Sequence, residues 1–125
     1  MKIILSNRDE LYWIRIEDIA YIQADDHYSA IFMVNGTKQV VPFGLSQFCE
    51  ILSKQVAFEK LFIRINRSFI LGITNIYSVS ITKGIVIFSQ ANHLLRLTIP
   101  KDTLRKASSE IRKMIHEISH KSHEE

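Results

Sequence analysis

The chain has one cysteine, Cys49, so no disulfide can close within it, and a lone thiol cannot assemble a thiolate zinc site. Its place in an apolar helical stretch reads as a buried structural thiol. Glycine is scarce, four residues in 125, and none of the four sits in a glycine-rich phosphate loop. No window approaches the roughly 18 uninterrupted apolar residues that a spanning helix needs. The amino-terminal stretch reaches only three consecutive strongly apolar residues, Ile3 to Leu5, before polar ones arrive, and reads as a strand, not a signal peptide. A cytoplasmic protein without membrane partners is expected. What is abundant is apolar bulk. With seven Phe, four Tyr, one Trp and 46% apolar residues, the chain is no disordered tail, and its length suits one self-sufficient domain.

The net charge of +3 says little, but its distribution says more. Residues 1–59 carry five basic and eight acidic side chains, residues 60–106 eight basic and one acidic, and the remainder three basic and four acidic. A positive middle between acidic flanks is the pattern expected of a face that meets a polyanion.

The apolar pattern predicts strands over Lys2–Leu5 and Leu11–Ile16, with Asn7-Arg8-Asp9 as the turn and a short helical turn at Glu17-Asp18. Strands at Ile19–Ala24 and Tyr28–Val34 flank Asp25-Asp26-His27. Asn35-Gly36 tolerates the positive φ of a tight hairpin and leads into a strand over Thr37–Phe43. Leu45, Phe48, Cys49, Ile51 and Leu52 then recur at three- and four-residue spacing, a helix of about three turns, started by a Gly44 bend or capped by Ser46. Further strands fall at Phe62–Ile65, Ser68–Leu71, Ile76–Ile81, Ile85–Phe88 and Leu94–Ile99, with turns at Lys83-Gly84 and Gln90-Ala91-Asn92. From Lys101 to about Ile118 the period is helical, and His120–Glu125 should fray.

Candidate catalytic chemistry is thin. Asp25 and Asp26 are neighbours whose side chains diverge on a strand and converge only at a bend. His116 and His120 are spaced to share a helix face, but at a chain end without a pocket. Neither Ser29 nor Ser68 has a recognisable His–Asp partner pattern. The expectation is no enzyme, no metal and no cofactor.

Two segments resemble the LytTR-type DNA-binding domain family. One is Ile16-Glu17-Asp18-Ile19-Ala20-Tyr21-Ile22-Gln23-Ala24-Asp25 followed by His27-Tyr28-Ser29. The other is Phe62-Ile63-Arg64-Ile65-Asn66-Arg67-Ser68-Phe69-Ile70-Leu71, ending near Asn75-Ile76. The resemblance covers residues 1–106 as the domain, with 107–125 continuing the last helix into a tail. It implies a mainly β fold, an elongated stack of small antiparallel sheets with one internal helix and an amphipathic carboxy-terminal helix. It also implies a transcriptional regulator that inserts loops into the major grooves of promoter DNA. Such domains are usually fused to a receiver; because the pattern starts almost at Met1, no receiver is expected here.

On this resemblance Arg67 is the first candidate for a base contact, since a guanidinium fork can donate to guanine O6 and N7 together. Arg64 alternates with Ile63 and Ile65 and is a candidate phosphate or base contact; Asn66 either braces the loop or reads a base edge. His27 and Tyr28 fall at the family's first contact loop, although Tyr28 also reads as a core aromatic beginning a strand. The third contact region holds Pro100-Lys101-Asp102 where the family commonly has a serine and basic residues. Lys101 is then a phosphate contact without a fork, Asp102 repels, and Arg105 and Lys106 are available as backbone contacts.

The last helix presents Leu104, Ala107, Ile111, Met114 and Ile118 as one stripe, widened by Ile115. Two heptads are too short for a stable isolated coiled coil. The stripe packs either on its own sheet or in a homodimer formed at least on DNA, with Leu104, Ile111, Met114 and Ile118 at the contact. The rival functions are a protein-interaction module of the same fold with weakened DNA specificity, and a single-strand RNA binder that stacks bases on Tyr28.

Overall fold

A computed structural model describes the backbone of residues 1–124 and side chains through Ile118. The fraying expected of His120–Glu125, and the side-chain pairing considered for His116 with His120, lie outside those described side chains.

The chain opens with an antiparallel ribbon, β1 (Lys2–Ser6) and β2 (Leu11–Arg15), in which Ile3 faces Ile14 and Ile4 faces Trp13. Its turn forms as expected, because the Asn7 carboxamide oxygen accepts the N–H groups of Asp9 and Glu10 at 3.0 and 2.7 Å. Alternation sends Ile3, Leu5 and Ile14 inward and leaves Ile4, Leu11 and Trp13 outside.

A 3-10 turn (Ile16–Asp18) leads into β3 (Ile19–Asp25), β4 (Tyr28–Met33) and β5 (Lys38–Val41). Helix α1 (Leu45–Gln55) follows; it starts at the extended Gly44 without a side-chain cap, so Ser46 is not its cap. A one-turn helix α2 (Phe58–Leu61) comes next, which the sequence did not announce because a single turn has no period to detect. Strands β6 (Phe62–Arg64) and β7 (Phe69–Gly72) close a five-stranded antiparallel sheet ordered β5-β4-β3-β7-β6. After a second 3-10 turn (Ile73–Asn75), β8 (Ile76–Ser80), β9 (Ile85–Gln90) and β10 (His93–Thr98) form a three-stranded sheet, and α3 (Lys101–Glu124) ends the chain.

The five-stranded sheet is a wall between two cores, which explains why β3 and β7 read as continuous apolar runs. Ile22, Ile31 and Ile70 face the first core, made with the ribbon and with Phe48 and Leu52 of α1. Tyr21 and Leu71 face the second, made with Val86, Phe88 and Leu97 of the small sheet and Leu104, Ile111 and Met114 of α3. Small antiparallel sheets stacked through two cores are the architecture expected of the sequence. Leu104, Ile111 and Met114, read as a dimer contact or as intrachain packing, are 0%, 2% and 5% exposed within the single chain. Ile118 is half-buried against the same core.

Buried polar groups lock the layers together. The Asn75 amide donates to the carbonyls of Glu17 (2.7 Å) and Ile19 (2.9 Å), and Gln90 donates to the Glu17 carbonyl and the Asp18 carboxylate. On the surface, the exposed Gln55 ties α1 to the ribbon, accepting from and donating to the backbone of Ile4, so part of this sheet edge is already occupied.

Candidate nucleic-acid interface

The β3–β4 hairpin places Asp25 opposite Tyr28 and turns at Asp26, whose φ of 58° is the left-handed conformation that Asp tolerates in a tight turn. His27 projects from this turn with its side chain 91% exposed, and its Nε2 lies 3.7 Å from the Asp26 carboxylate. Tyr28 is 50% exposed, so the core reading of its ring does not hold; alternation sends Ser29 inward instead. Asp25 and Asp26 do not form a paired-carboxylate site of the catalytic kind, because Asp25 ends a ladder while Asp26 points out with His27.

The β6–β7 loop is built on Asn66. Its carboxamide oxygen accepts the N–H groups of Ser68 (2.8 Å) and Phe69 (2.9 Å), while Ile65 donates to the Phe69 carbonyl at 3.0 Å. The side-chain oxygen of Asn66 is thus committed to bracing the loop. Arg64 is exposed, as the alternation with Ile63 predicts, and its guanidinium is hydrogen-bonded within the protein: Nε donates to the Asn66 carbonyl (3.1 Å) and NH1 to the Ser46 hydroxyl of α1 (2.9 Å). Arg67 stands exposed at the apex.

These two loops come together because β3 and β7 are neighbours. Gln23 pairs with Phe69, and the Ala24 N–H donates to the Ser68 carbonyl at 2.8 Å. The β5–α1 connection joins the same end: Ser29 Oγ donates to the Phe43 carbonyl at 2.7 Å, and a Cβ on Gly44 would lie 3.9 Å from the His27 carbonyl. His27, Tyr28, Arg64, Asn66 and Arg67 therefore belong to one end of one sheet.

At the start of α3, Lys101, Arg105 and Lys106 are all exposed. Lys101 lies against the β8–β9 turn, where the Ile99 N–H donates to Gly84 and a Cβ on Gly84 would meet the Lys101 side chain. Pro100 supplies its carbonyl to Leu104, so its missing N–H costs the helix nothing. Arg105 is paired with Asp102 at 3.2 Å, both side chains exposed. Lys106 instead shares a groove of about 430 Å³ with Arg64 and Ile65, floored by Phe62, Ile63 and Met114. The basic segment does not gather into one patch: Lys83 and Arg96 line a separate hollow on the three-stranded sheet. Sequence reasoning missed Ser46 as a member of the loop cluster, and nothing local to Ser46 signals it, because its partner is 18 residues away.

Burial pushes the Cys49 thiol pKa up, and the neighbouring Arg64 guanidinium opposes that rise. The Tyr21 hydroxyl is also raised by burial alone, in keeping with its place in the second core.

That end of the sheet carries exposed loop residues, His27, Tyr28, Arg64 and Arg67, beside the exposed carboxylates of Asp25 and Asp26. The LytTr DNA-binding domain family matches residues 9–106, and the chain belongs to that family of DNA-binding domains. Among solved structures it is similar to a LytTr DNA-binding domain from Bacillus cereus. That match has a TM-score of 0.58 at 21% identity and covers 91% of this chain and 95% of the other, a likeness of fold. No curated protein matches the sequence. No helix among the described residues is long and apolar enough to cross a membrane.

Proposed function

We propose that the chain is a sequence-specific transcriptional regulator, without catalytic activity, that reads duplex promoter DNA in the cytoplasm by placing the β3–β4 and β6–β7 loops in the major groove. The observation that supports this reading is the Ala24–Ser68 bond, which brings the two loops to one end of the sheet, where His27 and Arg67 are both exposed. Arg67 donates to a guanine edge; His27 and Tyr28 contact the adjacent base edge or phosphate. Asn66 holds the backbone from which Arg67 projects. Lys101, Arg105 and Lys106 meet phosphates and set the register of the protein on the duplex. Two copies bind adjacent half-sites, which raises avidity through effective concentration.

Selection of bound sites from randomised duplexes, followed by titration over a range of salt, tests this. An enriched motif with steeply salt-dependent affinity is the expected result. No motif at low ionic strength would turn the reading toward a protein-interaction module of the same fold. The exposed Ile4, Leu11 and Trp13 face of the ribbon favours that second reading.

A further inference from the structure

We infer that Arg64 is a positioning residue for DNA readout: it clamps the Arg67 loop to helix α1 and so sets its placement against the His27 turn. The inference rests on the function proposed above and assigns Arg64 a role other than direct contact.

One guanidinium supplies both donors. Nε is used on the Asn66 carbonyl and NH1 on the Ser46 hydroxyl, two acceptors that belong to different elements. A planar fork with fixed donor directions holds two such acceptors at a set separation, which the single ammonium of lysine does not reproduce. One end of this bridge is rigid by itself, because the Asn66 side chain already closes the loop onto Ser68 and Phe69. The other end, the first turn of α1, follows directly from Gly44, which approaches the His27 carbonyl, and from Phe43, whose carbonyl accepts the Ser29 hydroxyl.

Three loops from distant parts of the sequence are therefore coupled through this side chain and the Ala24–Ser68 bond. The strand pairing fixes where the β6–β7 loop leaves the sheet, and Arg64 fixes how far it leans toward α1. A bidentate contact from Arg67 depends on both, since hydrogen bonds weaken steeply with misalignment. A phosphate contact made by Arg64 itself predicts something different, because any cation near a phosphate releases counterions whether or not it is a fork.

The test compares Arg64→Lys, Arg64→Gln, Ser46→Ala and the double variant Ser46→Ala/Arg64→Gln, each first confirmed folded by thermal melting. Binding is measured to the selected duplex and to a random duplex across a salt series. Arg64→Lys and Arg64→Gln are both expected to lower the specific-to-random affinity ratio at least about fivefold, the lower end of what one bidentate base contact contributes. The salt slope of both is expected to stay at the wild-type value. Ser46→Ala should lower the ratio in the same direction, and the double variant should fall no further than Arg64→Gln alone. In the DNA-free protein, the Arg64 Nε–H resonance should move in Ser46→Ala, which reports the clamp independently of DNA binding. If Arg64→Lys binds as wild type while Arg64→Gln loses about 0.9 of salt slope, Arg64 is a phosphate contact and the clamp is overturned. An Arg64 resonance indifferent to Ser46→Ala overturns it as well. A wild-type protein that selects no duplex sinks the proposed function instead, and the resonance then still decides whether the clamp exists.

Discussion

Ala24 and Ser68 are joined by a backbone hydrogen bond of 2.8 Å, the last link between β3 and the loop that precedes β7. Forty-three residues of chain, including α1, lie between them, yet this bond puts the His27 turn and the Arg67 loop on one end of the sheet.

Replacing Arg67 with alanine tests the readout assignment. Its side chain is exposed, so melting should be unchanged, while affinity for the selected site should fall by about 1–3 kcal/mol, the scale of one bidentate base contact. Equal affinity of wild type and variant in a gel-shift titration would remove Arg67 from the reading set.

The Asp102–Arg105 pair leads to an opposite-signed expectation. Asp102→Asn frees the guanidinium and removes a repelling charge, so binding to selected and random duplexes should tighten by similar factors at low salt. Neutralising Lys101 and Arg105 together should weaken both and flatten the salt slope by up to about 0.9 per lost phosphate contact. A change confined to the selected duplex would show these residues to be base readers.

Asn75 should matter to stability and not to recognition. Asn75→Ala leaves the Ile19 carbonyl without the amide that reaches it at 2.9 Å, a loss of about 1–3 kcal/mol for a buried acceptor. Urea unfolding should show the drop, and the affinity of the remaining folded protein should equal that of wild type.

Two glycines with positive φ should respond unequally to alanine. At Gly36 (φ 91°) nothing lies within 4 Å of the added Cβ, so the cost is the left-handed strain of about 1–2 kcal/mol. At Gly84 (φ 67°) the added Cβ falls 2.5 Å from the Ile99 carbonyl oxygen, so the backbone before α3 must move as well. Gly84→Ala should lower the melting temperature more than Gly36→Ala; the reverse order would contradict this account of the turn.

Helix α3 offers a paired test of packing. Ile111 is 2% exposed and Ile115 is 36% exposed. Ile111→Asp buries a charge in the second core and should abolish cooperative melting, whereas Ile115→Asp should keep the fold. Sedimentation of Ile115→Asp on a two-site duplex then asks whether the outer edge of the helix joins two copies. Unchanged cooperativity there would place the pairing contact elsewhere.

Much of the fold was legible along the chain. The alternation that marks β1 and β2, the Asn7 turn, the Asn35-Gly36 hairpin and the onset of α3 at Lys101 all depend on neighbours a few residues apart. Tyr28 was ambiguous because an aromatic at a strand start satisfies both a core and a surface pattern; only the hairpin register at Asp25 turned it outward. Helix α2 escaped because one turn carries no period, and the Thr37–Phe43 strand ended early, at Val41, where Pro42 has no N–H to offer the ladder.

The sequence by itself determined most of the secondary elements, the one-turn α2 excepted, together with the apolar stripes and the turns, since turn chemistry and periodicity are local properties of the backbone. The tertiary structure alone decided that β3 would pair with β7, that Arg64 would bond to Ser46, and that Lys106 would line one groove with Arg64 while Lys83 and Arg96 lined another. These placements depend on hydrogen bonds and packing between residues far apart in the chain, whose partners are set only when both cores close on the two faces of one sheet.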